Sequence, residues 1–240
     1  MHTHPLIIIP TPIGNLEDIT YRAVRLLKEA DYVLAEDTRT SAKLMKAYGI
    51  TTPLRAFHMH NEHALAKKIA ADIANGANVA MVTDAGTPGI SDPGYLLIRT
   101  CLQQGLTVSC LPGATAAITA LVASGLPCDR FRFEGFLPPK KGRLARLQSL
   151  LECDHTTIYY EAPNRLLLLL LQVAEIVEPT REVVVARELT KLHEAYVRGT
   201  ITEVAQHFQE HSPLGEIVVL VAPAPRTSRQ HVNKYKTTNN

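Results

Sequence analysis

The sequence predicts an α/β protein built from two units, and three observations carry that prediction. In the first half, short apolar runs alternate with helical stretches, the pattern of a mostly parallel sheet with helices on both faces. Three of these runs empty into stiff Gly/Pro loops, at residues 10–15, 84–94 and 112–116. Beyond Gly125-Leu126-Pro127 the strands outnumber the helices, which implies a mixed sheet with some antiparallel pairing. The expected organisation is an N-terminal α/β unit over 1–113, a C-terminal mixed α/β unit over 114–225 and a basic, disordered tail over 226–240.

Each element has its own signal. Leu6-Ile7-Ile8-Ile9, ended by Pro10, reads as the first buried strand, and Asp18-Ile19-Thr20 opens a helix over 21–29. A second strand, 32–35, ends in Glu36-Asp37-Thr38-Arg39, and a helix over 40–48 closes at Gly49. Residues 54–57 read as a third strand running into His58-Met59-His60-Asn61-Glu62-His63. An Ala-rich helix over 64–75 stops at Gly76, and the run 79–82 is a fourth strand. A helix over 95–104, a strand over 107–111 and a helix over 116–123 follow. The second unit reads as strand 131–135, helix 144–152, strand 157–161 and Leu-rich helix 166–176. Strand 182–187, an extended piece at 195–198, helix 202–211 and strand 217–222 complete it.

Composition narrows the function. A length of 240 residues gives ample core without staples, and a net charge of +2 is too small to argue for nucleic acid by itself. Basic residues concentrate instead at Lys140, Lys141, Arg143 and Arg146 and again in the tail. The four cysteines are scattered without CxxC spacing, which argues against a zinc ribbon or disulfide scaffold and fits a reducing cytosol. No stretch has the length of a membrane span or the layout of a signal peptide, so a soluble cytoplasmic protein is expected.

The loop 84–94 holds three glycines, two prolines and two aspartates, more than a simple turn needs. A stiff loop between an apolar strand and a helix is where open α/β sheets place ligands. None of the three loops fits a Walker or dinucleotide fingerprint, and none carries Lys or Arg. Backbone donors without cations suit a ligand with few or no phosphates, and S-adenosylmethionine meets that demand. Polar residues after two other strands, at 36–39 and 58–63, read as a polar cleft supplying a general base and substrate clamps. The histidines lack familiar ligand spacing, so no metal is expected. Clusters at 159–165 and 186–191 place further polar groups at strand ends, consistent with a cleft between the units. The basic stretch 136–143 is either an RNA contact or a solvated surface.

These residues carry a family pattern. Ile9-Pro-Thr-Pro-Ile-Gly-Asn-Leu-Glu-Asp-Ile-Thr, Ala35-Glu-Asp-Thr-Arg, His60-Asn-Glu and Thr83-Asp-Ala-Gly-Thr-Pro-Gly-Ile-Ser-Asp-Pro-Gly occur in order. Leu111-Pro-Gly-Ala, Phe133-Glu-Gly-Phe-Leu-Pro, Tyr160-Glu-Ala-Pro-Asn-Arg-Leu, Ala186-Arg-Glu-Leu-Thr-Lys and Gly215-Glu follow. Over about residues 6–222 the chain resembles the small-subunit ribosomal RNA 2′-O-ribose methyltransferases of the tetrapyrrole-methylase-like superfamily. Members similar to it often continue into a further C-terminal helical segment, where this sequence has its short basic tail.

The resemblance implies two α/β domains, a homodimer, S-adenosyl-L-methionine bound between the domains and a cytidine of 16S ribosomal RNA as substrate. It places donor contacts on Ile13, flanked by Pro12 and Gly14, and on Thr87 and Ile90, with Asp84, Gly86 and Pro88 beside them. Thr115, Ala116 and Tyr160 continue the set, with Leu189 and Gly215 nearby. Glu36, Asp37, His58 and Glu62 are the base candidates, and sequence does not choose among them. Arg39, His60, Asn61, Lys140, Lys141, Arg143 and Arg165 are the expected RNA contacts. Whether Asp84 and Asp92 face donor or RNA, or only cap their loop, is left open. The rival readings are a methyltransferase acting on a small tetrapyrrole and an RNA-binding factor without catalysis.

Overall fold

The computed structural model describes residues 5–225; the tail at 226–240, with its expected disorder, lies outside the described residues. Strands β1 (Leu6–Ile8), β2 (Tyr32–Ala35), β3 (Leu54–Ala56), β4 (Val79–Met81) and β5 (Val108–Cys110) form one sheet in the order β3-β2-β4-β1-β5. All four of its pairings are parallel. The central strands are apolar at every position because both faces are covered. Leu6, Ile8, Leu34 and Met81 pack against α3 (Glu62–Ala74) and α4 (Tyr95–Gln103). Ile7, Ile9, Val33 and Ala80 pack against α1 (Tyr21–Glu29) and α2 (Thr38–Ala47).

The second sheet joins β6 (Phe131–Phe136), β7 (Thr156–Glu161), β8 (Glu182–Arg187), β9 (Ala195–Thr200) and β10 (Ile217–Val221) in the order β6-β7-β10-β8-β9. Only β6 and β7 run parallel; the other pairs are antiparallel. One face is covered by α6 (Arg143–Gln148), α7 (Pro163–Ala174) and α8 (Ile201–Glu210), with Leu166, Leu169 and Leu170 packed on Val183, Val185 and Val219. The other face is covered by α5 (Ala116–Ser124), whose Ala117, Ala120 and Leu121 meet Ile158, Val184 and Leu220. Ile13, from the loop after β1, is buried in this same cluster.

Several helix limits differ from the sequence expectation, for identifiable reasons. Asp37 accepts from the Arg39 amide and starts α2 at Thr38, while Pro163 occupies the first turn of α7 and starts it three residues early. The polar stretches read as strand-end loops are thus partly helical first turns. At the other extreme, α6 stops at Gln148, because Leu150 and Leu151 close tighter bonds to the carbonyls three residues back, at 2.9 and 3.1 Å.

The units are clasped at the loops. Thr11 and Gly86 exchange backbone hydrogen bonds of 2.9 and 3.0 Å, and Thr11 Oγ1 donates to the Thr83 carbonyl at 3.0 Å. Thr87 Oγ1 donates to the Ala114 carbonyl at 3.2 Å, tying the second loop to the third. The first loop also presses on the second unit, where the Asn15 amide donates to Thr190 Oγ1 at 3.1 Å. Thr190 has φ 65°, a left-handed conformation that costs a β-branched residue about 1–3 kcal/mol. A Cβ on Gly14 would lie 2.7 Å from Thr190 Oγ1 and 2.8 Å from the Leu189 carbonyl. Gly14→Ala is therefore expected to lower unfolding stability by about 1–3 kcal/mol, because the Leu189 carbonyl must yield along with the Lys191 and Thr190 side chains. Urea titration checks this, and an unshifted midpoint would refute the close approach.

Candidate functional site

A cavity of about 480 Å³ opens between the two sheets. It lies at the C-terminal ends of β4, β1 and β5, which the strand order makes neighbours. Ile13 enters it from the first loop, Asp84, Gly86, Thr87 and Ile90 from the second, and Thr115 and Ala116 from the third. Tyr160, Leu189 and Gly215 close it from the second sheet. Three neighbours expected with them are not among its walls. Pro88 is buried within its loop, Pro12 is half-buried, and Gly14 is spent on the contact with residues 189–191. Tyr160 is fixed by the Ala117 amide, which donates to its hydroxyl at 3.2 Å.

The walls carry five carboxylates, Glu36, Asp84, Asp92, Glu161 and Glu216, and among the described residues no Lys, Arg or His. Glu36 accepts from Thr83 Oγ1 at 2.6 Å, and Asp84 accepts from the Asp37 amide at 3.1 Å. Burial first, and then the Glu36 charge, pushes the Asp92 carboxyl from 3.8 up to about 6. Burial also raises Asp84. Asp37 moves the other way: hydrogen bonds from Arg39, at 2.7 Å from Nη2 and 3.0 Å from Nε, hold it at about 2.

These placements sort the expected base candidates. Glu36 faces the cavity, whereas Asp37, His58 and Glu62 are not among its walls. Asp37 caps α2 and is paired with Arg39, whose side chain is 88% exposed. Glu62 instead accepts the Gly94 and Leu96 amides at 3.1 and 2.9 Å, capping α4 from the neighbouring helix. Asn61 accepts from the His58 amide at 2.8 Å and donates to the Ala56 carbonyl at 3.1 Å, so it shapes its own turn. His60 is exposed and meets His58 edge-on at 5.9 Å. Asp92 is the group that sequence reading did not assign as a base. The available signal was two aspartates in a loop with no other charge.

Of the basic residues, Lys140 and Lys141 are exposed. Arg143, expected at the RNA surface, is instead turned inward: its side chain is 6% exposed, and both Nη atoms lie 3.3 Å from Glu161 Oε2. It opens α6 pointing inward, where the wholly buried Glu161 requires a partner. Arg165 shares that carboxylate at 3.2 Å and donates to the Leu137 carbonyl at 3.0 Å, which leaves it a structural clamp.

Two outcomes follow. The raised carboxyl of Asp92 favours the protonated folded state, so its ionisation opposes folding as pH rises from about 4 to about 6, and the full cost is present above. Asp92→Asn is expected to melt on the order of 3 °C higher than the wild type at pH 7, with the gap closing towards pH 4; a lower melting temperature at pH 7 would count against it. For Glu62, a Gln retains the carbonyl acceptor and an Ala does not. Glu62→Ala is expected to lose about 1 kcal/mol of stability while Glu62→Gln keeps stability and activity; an inactive, fully folded Gln variant would restore Glu62 as a base.

Known proteins agree with this architecture. The sequence model of the Tetrapyrrole (Corrin/Porphyrin) Methylases matches residues 5–205. The ribosomal RNA small subunit methyltransferase I of Escherichia coli O157:H7 is 47% identical over 219 residues, covering 90% of this chain and 77% of that protein. That of Thermotoga maritima is 46% identical over 217 residues, covering 90% and 97%. That of Synechocystis is 46% identical over 225 residues, covering 93% and 81%. Among solved structures, diphthine synthase superposes with a TM-score of 0.72 at 12% identity, over 90% of this chain and 89% of its own. Cobalt precorrin-4 methyltransferase gives 0.68 at 18% identity, over 90% and 94%. Those two likenesses concern the fold alone, while the match over residues 5–205 and the relatives near 46% identity reach the sequence itself. The chain belongs to the tetrapyrrole methylase family, within its group of ribosomal RNA small subunit methyltransferases I.

Proposed function

We propose that this protein transfers a methyl group from S-adenosyl-L-methionine to the ribose 2′-hydroxyl of a cytidine in 16S ribosomal RNA. The observation that carries the reading is the cavity between the sheets, where Glu36, Asp84 and Asp92 line the walls without a basic residue among them, in a chain close to 46% identical to proteins named as small-subunit RNA methyltransferases. A cavity of about 480 Å³ has the size of a cofactor site. Its carboxylates favour a cationic ligand and disfavour a polyphosphate.

When bound, the donor supplies an electrophilic methyl group on a sulfonium. Ile13, Gly86, Thr87, Ile90, Thr115, Ala116, Tyr160, Leu189 and Gly215 are the residues proposed to hold it. Ile13, Leu189, Ile217 and Val218 make that end of the cavity apolar and exclude water. Asp92 accepts the hydroxyl proton as the ribose oxygen takes the methyl group, and its pKa of about 6 leaves it both ionised and basic near neutral pH. Glu36, fixed by Thr83, raises that basicity by its charge. Asp37, held at about 2, is a poor base. Exposed Arg39, Lys140 and Lys141 stand outside the acidic cavity as proposed phosphate contacts.

The proposal extends to a homodimer acting in the cytoplasm without a metal. Exposed apolar side chains on α5, Ile118 and Val122, are available for association. No described helix is long and apolar enough to cross a membrane.

Asp92→Asn is expected to reduce methyl transfer by roughly 10²- to 10⁴-fold with donor binding intact. Glu36→Gln should move the acid limb of the rate profile, which lies near pH 6 in the wild type, to lower pH. Labelled donor with small ribosomal subunits measures transfer, and calorimetry measures donor binding. Transfer by the wild type to a precorrin but not to the subunits would establish the tetrapyrrole reading instead. Failure of the wild type to bind the donor by calorimetry would favour an RNA-binding factor without catalysis.

A further inference from the structure

Strand β6 contains an irregularity that the core does not need. It pairs with β7 as Phe131↔Thr156, Arg132↔Thr157 and Phe133↔Ile158, then skips Glu134 and resumes as Gly135↔Tyr159 and Phe136↔Tyr160. The inserted residue is held by ion pairs from Arg132 at 3.1 Å and Arg146 at 3.9 Å, and Gly135 absorbs the bend at φ 60°. Strict alternation would place Phe136 on the face opposite Phe133. The single extra residue returns it to the face of Phe133, Ile158 and Tyr160, which is the cavity side.

The side chain so delivered is 54% exposed and meets Tyr160 edge-on, with ring centroids 5.6 Å apart. It is a cavity wall with an open flank rather than a core residue. The strand end abuts the second loop: a Cβ on Gly135 would lie 3.0 Å from Ser91 Oγ, and Ser91 directly precedes Asp92. Immediately after Phe136 the chain is pinned at both ends, at Leu137 by Arg165 and at Arg143 by Glu161. Between these pins Lys140 and Lys141 are held out to solvent.

An open aromatic ring therefore stands between the loop that carries a proton acceptor and the strap that carries two exposed cations. A base, a ribose and the phosphates of an RNA segment each find a group of matching chemistry among these three. We propose that Phe136 is the stacking surface for the pyrimidine of the substrate nucleotide, set on the cavity side by the β6 bulge, and that the pinned strap behind it supplies Lys140 and Lys141 to the adjoining phosphates. The assignment rests on the RNA methyltransferase reading. Stacking on an aromatic ring is the usual way an extruded base is held in an enzyme pocket.

The test compares Phe136→Ala, Phe136→Leu and Phe136→Trp as intact proteins, with kcat and KM for small ribosomal subunits, donor affinity by calorimetry and thermal melting. Phe136→Ala and Phe136→Leu are expected to lower kcat/KM for RNA roughly 10- to 100-fold, mainly through KM, while Phe136→Trp retains most of it. Donor affinity and melting temperature stay unchanged in all three. Full activity in Phe136→Ala, full repair by Leu, or a parallel loss of donor affinity overturns the assignment, the last making Phe136 a wall of the donor site. A wild type that fails to methylate the subunits overturns the underlying reading and this proposal with it; an active wild type with indifferent variants overturns this proposal alone.

Discussion

The two backbone hydrogen bonds that Thr11 and Gly86 exchange are the interaction on which the rest of the site depends. They join loops that leave neighbouring parallel strands, and neither loop has regular structure of its own to hold it. Thr11 Oγ1 adds a third bond to the Thr83 carbonyl, and Thr87 extends the tie to Ala114. With the loops locked, Ile13 projects into the second unit's core and Gly14 lies against Leu189 and Thr190. A methyl donor needs walls from both units at fixed separation, and positioning of this kind is the larger part of what such a site contributes to rate.

Charge is distributed to match the two ligands. The cavity gathers carboxylates and excludes basic side chains, while Arg39, Lys140 and Lys141 stand exposed outside it. On the proposed function, an RNA chain is favoured at the rim and its phosphates are disfavoured inside, which leaves the ribose as the part that enters. Crowding acids also sets their chemistry. Burial, and after it the charge of Glu36, raises the proton affinity of Asp92, a group that sequence alone leaves at the ordinary carboxylate value.

The buried Glu161 is organised differently. Arg143 and Arg165 both reach it, and Arg143 additionally donates to Gln172 at 2.8 Å. Leaving such a carboxylate without partners inside a protein is costly, so the arrangement is robust to fluctuation. Its structural effect is to fasten the strap after β6 at two points, at Leu137 through Arg165 and at Arg143.

Much of this was legible in the residues alone. Alternation of apolar runs with helices specified the first sheet, because a parallel strand buried on both faces has to be apolar throughout. The Gly/Pro loops marked the side on which the cavity opens, since a chain with fixed φ and little side-chain cover suits such a wall. Tertiary structure decided what depends on distant neighbours. The strand order β4-β1-β5 brought residues 10–15, 84–94 and 112–116 together, and pairing across the sheet is not written in local pattern. Burial, with the Glu36 charge nearby, raised the Asp92 carboxyl, whereas Asp37 is held by Arg39 and Glu62 by the α4 amides. Arg143 looked like its exposed neighbours Lys140 and Lys141 until the fold placed Glu161 opposite it. Phe136 changed faces through one unpaired residue, a register effect that periodicity in the sequence cannot register because it is created by the partner strand.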